Sequence, residues 1–423
     1  MNPVAPTPLV LHLSLVVGGV LWDPSGERLG RVEDVIVRLG EEYPPVSGAL
    51  ATVAGRQVYV PGEEIEEIVH GGVRLRAVTL DLQRFVRRSD EVLLRKDVLD
   101  RQLINVDGAR LVRANEIELA RVEGWYRVVG VDTGLRGIAR RLVPRRLGDS
   151  VATGTFLDWA SVEPFTGHVP SVRLRVPHPK LARLHPAQLA DLVEAASHHE
   201  GEEILHAVGG DKELEADVYE ELDPQHQIEF VTERSDQEVT ELLSRMEADD
   251  AVDLLGEMED DRRERIVEML PALLRRRVRV LAGYDPATAG GLMSPDFICM
   301  YSTATKQEAI ERVARSRGNA ESLAWIYVMN QDRRLRGAIS LPDLLRVPDA
   351  DAGLGDVAVF MPPTLTPDAE VEEIARLMTD YDLTVAPVVN EREMLLGVVT
   401  VDDVLELVLP PGWRRRFDVL GGE

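Results

Sequence analysis

A hydroxyl and a carboxylate stand three residues apart twice in the last third of the chain, as Ser340 with Asp343 and as Thr400 with Asp403. In both places a β-rich run gives way to helical spacing, so each pair lies beside the free N–H groups of a new helix. A pair of this kind can bond the two hydroxyls of a ribose while the helix start faces an anion. The same residues also make a capping box, in which the hydroxyl caps the helix and the acid three places on returns the bond. Spacing alone leaves both roles open.

The elements that carry the two pairs repeat one another. Residues 325–329 are β-rich, 330–334 make a polar turn, and Gly337, Ser340 and Asp343 follow; residues 384–389, the turn at 390–393, and Gly397, Thr400 and Asp403 keep the same order. Helical spacing that ends at Tyr381 precedes the second copy, giving helix, strand, turn, strand, helix. A repeated supersecondary unit implies two halves packed on each other. The tandem resembles a pair of CBS domains, whose motif is Gly, two apolar residues, Ser or Thr, two residues, Asp. The resemblance implies ATP or another adenine nucleotide in the cleft between the halves, with Ser340, Asp343, Thr400 and Asp403 on the ribose. Pro342 stands where a polar or basic residue is usual and weakens that site. A homodimer is also implied, because CBS pairs commonly associate back to back.

The 423-residue chain has room for about two to four domains. Its formal net charge of −25 is unevenly placed: residues 1–150 hold 21 basic and 21 acidic side chains, whereas residues 186–260 hold 24 Asp and Glu against Lys212, Arg234 and Arg245. The second segment repels nucleic acid and attracts cations, so direct nucleic-acid binding is not expected of it. A single cysteine, Cys299, rules out a disulfide framework and reads as a small buried hydrophobe at the end of a strand. No run of eighteen apolar residues occurs, so nothing reads as a membrane span. Residues 9–22, broken by His12 and Gly18-Gly19, read as a strand and not a signal peptide. Phosphate-loop, His-Glu-x-x-His and nucleophile-elbow motifs are all missing, which points away from an enzyme. His198, His199, Glu202, Glu203 and His206 offer acid and imidazole pairs at helical spacing for a transition metal, against the plainer reading of a solvated face.

The N-terminal third is β-rich and carries an internal echo. Gly26, Arg28, Leu29, Arg31 and Val35 correspond to Gly108, Arg110, Leu111, Arg113 and Ile117. Both copies resemble the PRC-barrel, a small β-barrel found in photosynthetic reaction-centre subunits and in an RNA-processing factor, and mostly a protein-docking module. Five arginines within residues 136–146 can meet lipid headgroups, RNA or an acidic protein face, the acidic part of this chain included. Residues 148–178 hold Pro164, Pro170 and Pro177 and read as an irregular connector with some strand at 171–176.

From residue 185 to about 282 the pattern is helical, with starts at Pro186, Asp223-Pro224, Ser235 and Asp249, and a helix over 261–270. Residues 246–270, the junction Asp285-Pro286-Ala287-Thr288-Ala289-Gly290-Gly291-Leu292-Met293-Ser294-Pro295 and residues 375–385 resemble the N domain and CBS pair of the MgtE family of magnesium channels. In that family these parts form a cytosolic Mg²⁺ sensor, closed by ions held between carboxylates. Carried over by motif position, the resemblance implies Asp249 and Asp253 from the helical part and Glu370, Glu372, Asp382, Asp403 and Glu406 from the CBS pair. Seven carboxylates brought together at neutral pH repel, so the empty state spreads and divalent ions draw it in. After Leu409 the chain reads Pro410-Pro411 where the channel continues toward its membrane domain, so a sensor without a pore is expected.

These readings add up to a multi-domain α+β protein: a PRC-barrel-like β region of two related halves (1–147), a connector (148–184), an acidic superhelical domain (185–283), a first CBS half (284–350), a second (351–412) and a tail (413–423). The expected function is non-enzymatic, cytoplasmic Mg²⁺ sensing that acts on a partner, for instance a membrane magnesium transporter at the inner face of the membrane. The alternative is a PRC-barrel assembly or RNA-associated adaptor whose CBS pair only dimerises.

Overall fold

The computed structural model describes residues 10–77, 87–88, 90–134, 156–165, 180–316, 320 and 322–409. It divides into two compact units, Met1–Glu221 and Leu222–Glu423. The arginine-rich run at 136–146, the strand expected at 171–176 and the tail lie outside the described residues.

In the first unit the long strand Arg28–Arg38 is central, because its run Val35-Ile36-Val37 is wholly buried. Antiparallel neighbours Val46–Val53 and Val20–Trp22 flank it, and the sheet extends through Arg56–Pro61 on one side and Gly72–Leu75 and Ile65–Val69 on the other. A second sheet runs Leu11–His12, Glu116–Val122, Trp125–Asp132, Phe156–Asp158. Both sheets feed one apolar core in which Leu13, Leu21, Val35 and Val37 meet Ile117, Leu119, Val128 and Trp159. The two echoing segments are alike locally: an Asx side chain closes each turn before its strand, Asp23 Oδ1 accepting from Glu27 N–H at 2.7 Å and Asn105 Oδ1 from Gly108 N–H at 3.2 Å.

Two readings are corrected here. Residues 9–22 are not one strand but Leu11–His12, a helical turn Leu13–Val16 and Val20–Trp22, because Gly18 at φ 75° turns the chain. Part of the segment read as an irregular connector is ordered, as Phe156–Asp158 and Val162–Pro164 pair with core strands around the buried Trp159. The helices Pro186–Ala195, His198–Val208 and Lys212–Glu221 also belong to this unit.

The second unit opens with five short helices, Pro224–Thr232, Asp236–Leu243, Ala248–Gly256, Asp260–Met269 and Ala272–Leu281. Asp223 caps the first, with proline at its start, and Ser235 and Glu238 form a capping box on the second. The third begins one residue before Asp249, with Glu247 as its N-cap residue.

Two βαββα halves follow. The first has Ile298–Tyr301, Lys306–Arg315, Trp325–Met329, Leu335–Ser340 and Leu341–Arg346; the second has a short bridge at Leu365, then Val371–Asp380, Val385–Val389, Leu395–Thr400 and Val401–Val408. Tyr327, Leu335 and Ala338 share a core with Val385, Val389 and Val398, which joins the halves. The repeated glycine is a matter of space: a Cβ on Gly337 would lie 2.1 Å from the Ala358 carbonyl, and one on Gly397 2.8 Å from Met293. Cys299 lies within Ile298–Tyr301, half-buried, and burial pushes its thiol up to about 11. Among the described residues no helix is long and apolar enough to cross a membrane.

Asp34 in the first unit is 4% exposed and accepts backbone N–H bonds from Val35, Arg95 and Lys96 at 2.8, 2.8 and 3.1 Å, while burial raises its carboxyl to about 6. Asp34→Asn puts an amide donor against one of these donors. It is expected to cost about 1–3 kcal/mol of unfolding free energy, read from urea denaturation; an unchanged midpoint would show that these bonds do not hold the turn at residues 94–98.

Candidate functional site

The helix Ala248–Gly256 buries Ala248, Ala251, Leu254 and Leu255. Ala248 and Leu281 sit in one apolar cluster with Ala289, Met293, Leu365, Ile374, Val388, Val399 and Val404, so the last helices of the helical part are docked on the second CBS half. Asp249 and Asp253, one turn apart, are thereby carried to the start of Val401–Val408.

Thr400 and Asp403 cap that start reciprocally. Asp403 Oδ2 accepts from Thr400 Oγ1 at 2.7 Å and from Thr400 N–H at 3.1 Å, and Thr400 Oγ1 accepts from Asp403 N–H at 3.4 Å. The box fixes where the Asp403 charge stands. Burial first, then the charges of Glu247 and Asp403, hold the Asp249 carboxyl well above the ordinary carboxylate range. Burial first, then Asp403 and Glu257, raises Asp253. Asp249 Oδ1 is buried without a hydrogen-bond partner, and none of the largest influences on this carboxyl is a basic group. An acid so placed must keep its proton or share a cation. Acids that share one charged neighbourhood attract a hard divalent ion, which can bridge them through the water it retains.

Of the residues singled out from the sequence, the structure gathers Asp249, Asp253 and Asp403. Glu370 is the exposed N-cap residue of Val371–Asp380, Glu372 lies exposed in the first turn of that helix, and Asp382 is exposed in a left-handed turn at φ 53°. Glu406 is exposed on Val401–Val408. None of these four is among the charges that bear most on Asp249 or Asp253. Two members of the cluster were missed. Glu257 continues the stripe 249, 253, 257 at four-residue spacing and was legible; Glu247 arrives from the capping position, which helical periodicity does not mark.

In the first CBS half, Ser340 Oγ donates to Asp343 Oδ2 at 2.7 Å and accepts from Asp343 N–H at 3.2 Å, and Arg346 pairs with Asp343 at 2.7 Å. These bonds, Ser340 first, hold the Asp343 carboxyl below its ordinary range. Both hydroxyl–carboxylate pairs thus serve as helix caps. Beside the first pair, Trp325 stands opposite Ser340 in the sheet, and the ring of Phe360, 41% exposed, lies 5.8 Å from that of Trp325. His199, Glu202 and His206 are exposed on His198–Val208, while His198 and Glu203 are half-buried.

Residues 184–287 match the family described as MgtE intracellular N domain, and residues 289–349 and 354–410 each match the CBS domain. The crystal structure of the cytosolic domain of the Mg²⁺ channel MgtE in complex with ATP is 33% identical to this chain with a TM-score of 0.50, covering 54% of this chain and 92% of that one. The chain belongs to the family of MgtE cytosolic regions. Magnesium transporter MgtE of Thermus thermophilus is 33% identical over 196 residues, and that of Bacillus subtilis 28% identical over 195. Each match takes in 46% of this chain and 43% of the transporter. The MgtE-like stretch is an N domain followed by a CBS pair, and the β-rich region precedes it.

The raised carboxyls fix a sign. A carboxyl that is higher in the folded state adds stability below the unfolded value of 3.8 and loses it as pH rises through the folded value. In chelator, wild type is therefore expected to lose stability relative to Asp249→Asn between about pH 4 and neutrality. Parallel thermal melts across that range check this, and a constant difference between the two proteins would exclude the strained Asp249.

Proposed function

We propose that the unit Leu222–Glu423 is a divalent-cation sensor, with Mg²⁺ bound between Asp249 and Asp253 of the helical part and Asp403 of the second CBS half. The single observation behind this reading is the buried Asp249 Oδ1, which has no hydrogen-bond partner and whose carboxyl is raised further by Glu247 and Asp403. A hydrated Mg²⁺ satisfies that oxygen and cancels the repulsion. Glu370, Glu372, Asp382 and Glu406 supply further acidic surface for weaker ions.

The role is regulatory and non-catalytic. Bound ions favour the docked arrangement of helices and CBS pair, and loss of ions loosens it. Moving such an equilibrium from mostly open to mostly closed takes about 5.5 kcal/mol of differential binding. Several weak sites contributing about 1–2 kcal/mol each near saturation are sufficient. The protein works in the cytoplasm as a homodimer joined through its CBS pairs. Its partner is a membrane magnesium transporter at the inner face of the membrane, engaged through the N-terminal β region, which retains its PRC-barrel-like docking role. Kinship with a transporter's cytosolic region supports that partner class.

The first CBS half takes an adenine nucleotide. Phe360 and Trp325 offer a stacking face beside Ser340 and Asp343, and the related cytosolic domain was solved with ATP. The caps must then exchange some internal bonds for ribose bonds.

Titration with Mg²⁺ from zero to about 20 mM, the range suited to open carboxylate sites, is expected to protect residues 284–302 from protease. Asp249→Asn/Asp253→Asn abolishes the protection. Cleavage that ignores Mg²⁺ removes the sensing role, and protection by RNA instead favours the adaptor. For the nucleotide, Phe360→Ala is expected to weaken ATP binding about 10-fold to 100-fold, as loss of one base-stacking contact does. Equal affinities in calorimetry would place the base elsewhere.

A further inference from the structure

A cavity of about 250 Å³ opens in the first unit, where the hairpin of Glu116–Val122 and Trp125–Asp132 meets the turn Gly62–Glu64. The hairpin closes through Glu123 and Gly124 at φ 52° and 89°, a two-residue turn whose twist matches that of its strands. The side chains at its tip are therefore held in place. Tyr126 is anchored to the neighbouring strand, its hydroxyl accepting from Ile68 N–H at 3.0 Å and donating to the Ile68 carbonyl at 3.3 Å. The Arg121 guanidinium lies 5.8 Å from the centre of the Tyr126 ring, and its Nε donates to the Gly124 carbonyl at 3.4 Å. The terminal nitrogens of that guanidinium remain for a ligand.

Trp125 lines the same cavity and is 51% exposed, a large apolar ring left half in water on a fixed turn. Arg76 and Arg121 bring two positive charges to the wall, and Glu63 and Glu66 two negative ones. Glu66 stands at a β-bulge, where the register shifts between Ile65 and Glu67, a device that re-aims a side chain. All four charged side chains are exposed, and among the described residues none of them is ion-paired. Charges of both signs that line one cavity without neutralising each other complement a ligand that carries both. Two guanidinium groups suit a carboxylate, which accepts paired N–H bonds, and two carboxylates suit an ammonium with its three donors. The Trp125 ring and the buried Val46 and Ile65 offer the apolar wall. The volume lies below the about 300–1,000 Å³ usual for drug-sized ligands, so the ligand is small.

We propose that this cavity binds a free α-amino acid with an apolar side chain. Its carboxylate lies on Arg76 and Arg121, its ammonium on Glu63 and Glu66, and its side chain against Trp125. The proposal is independent of the cation reading above.

The test is calorimetry on the full chain with L-phenylalanine and L-leucine as probes. N-acetyl-L-phenylalanine, which lacks the ammonium, and L-phenylalanine amide, which lacks the carboxylate, are titrated beside them. Each analogue is expected to bind about tenfold more weakly than L-phenylalanine, as for loss of one charge-assisted contact. Arg76→Gln/Arg121→Gln is expected to weaken L-phenylalanine about tenfold and to leave the amide within about twofold, because the lost partner is one the amide never engaged. Glu63→Gln/Glu66→Gln is expected to do the same with respect to the N-acetyl analogue. Circular dichroism of the variants, all at exposed positions, checks that they fold. Absence of binding by both amino acids up to about 10 mM overturns the proposal. So do analogues that bind as well as L-phenylalanine, or folded variants that leave its affinity unchanged.

Discussion

Apolar packing that forces like charges together is the constraint on which the second unit depends. Ala248 and Leu281 are buried in the same cluster as Met293, Ile374, Val388 and Val404, and Asp249 is carried along next to Asp403. A fully buried aliphatic side chain contributes about 1.5–3 kcal/mol, whereas two unit charges about 4 Å apart cost about 4 kcal/mol at an effective dielectric of about 20. A few core residues therefore outweigh the repulsion. This is the contact at which the proposed cation would act.

The same acid serves two purposes. Asp403 completes the cap on Val401–Val408 and presents its charge to Asp249 and Asp253, so the cap that starts the helix also fixes where that charge stands. Asp343, its counterpart in the first half, pairs with Arg346 and stays exposed. The two halves repeat in sequence and differ in company: one acid meets a helical neighbour that carries more acids, the other meets solvent and an arginine. On that asymmetry rests the proposal of a cation site in one half and a nucleotide site in the other.

The first unit obeys a different rule. Its acids are mostly answered locally, Asp34 by three backbone N–H groups and Asp97 by Arg87 at 2.7 Å and by Leu93 N–H at 2.8 Å. Buried carboxylates that have donors lock turns in place and leave little for a ligand to change.

The sequence by itself determined the CBS repeat, the helical array and three of the gathered acids. Each is written in short-range spacing: Gly337 and Gly397 before Ser340 and Thr400, Asp249 one turn from Asp253, Asp223 and Ser235 ahead of their helices. It did not determine the turn at 13–16 or the strands at 156–158 and 162–164, where short segments take their form from the core they cover and not from their own period. Nor could it say which acids meet. Glu247 joins the cluster because the chain bends at a helix cap and Ala248 is buried, while Glu370, Glu372 and Asp382 stand exposed. Spacing along a chain fixes which side chains share a face; only packing decides which faces meet, because burial of apolar surface is blind to the charges it brings along.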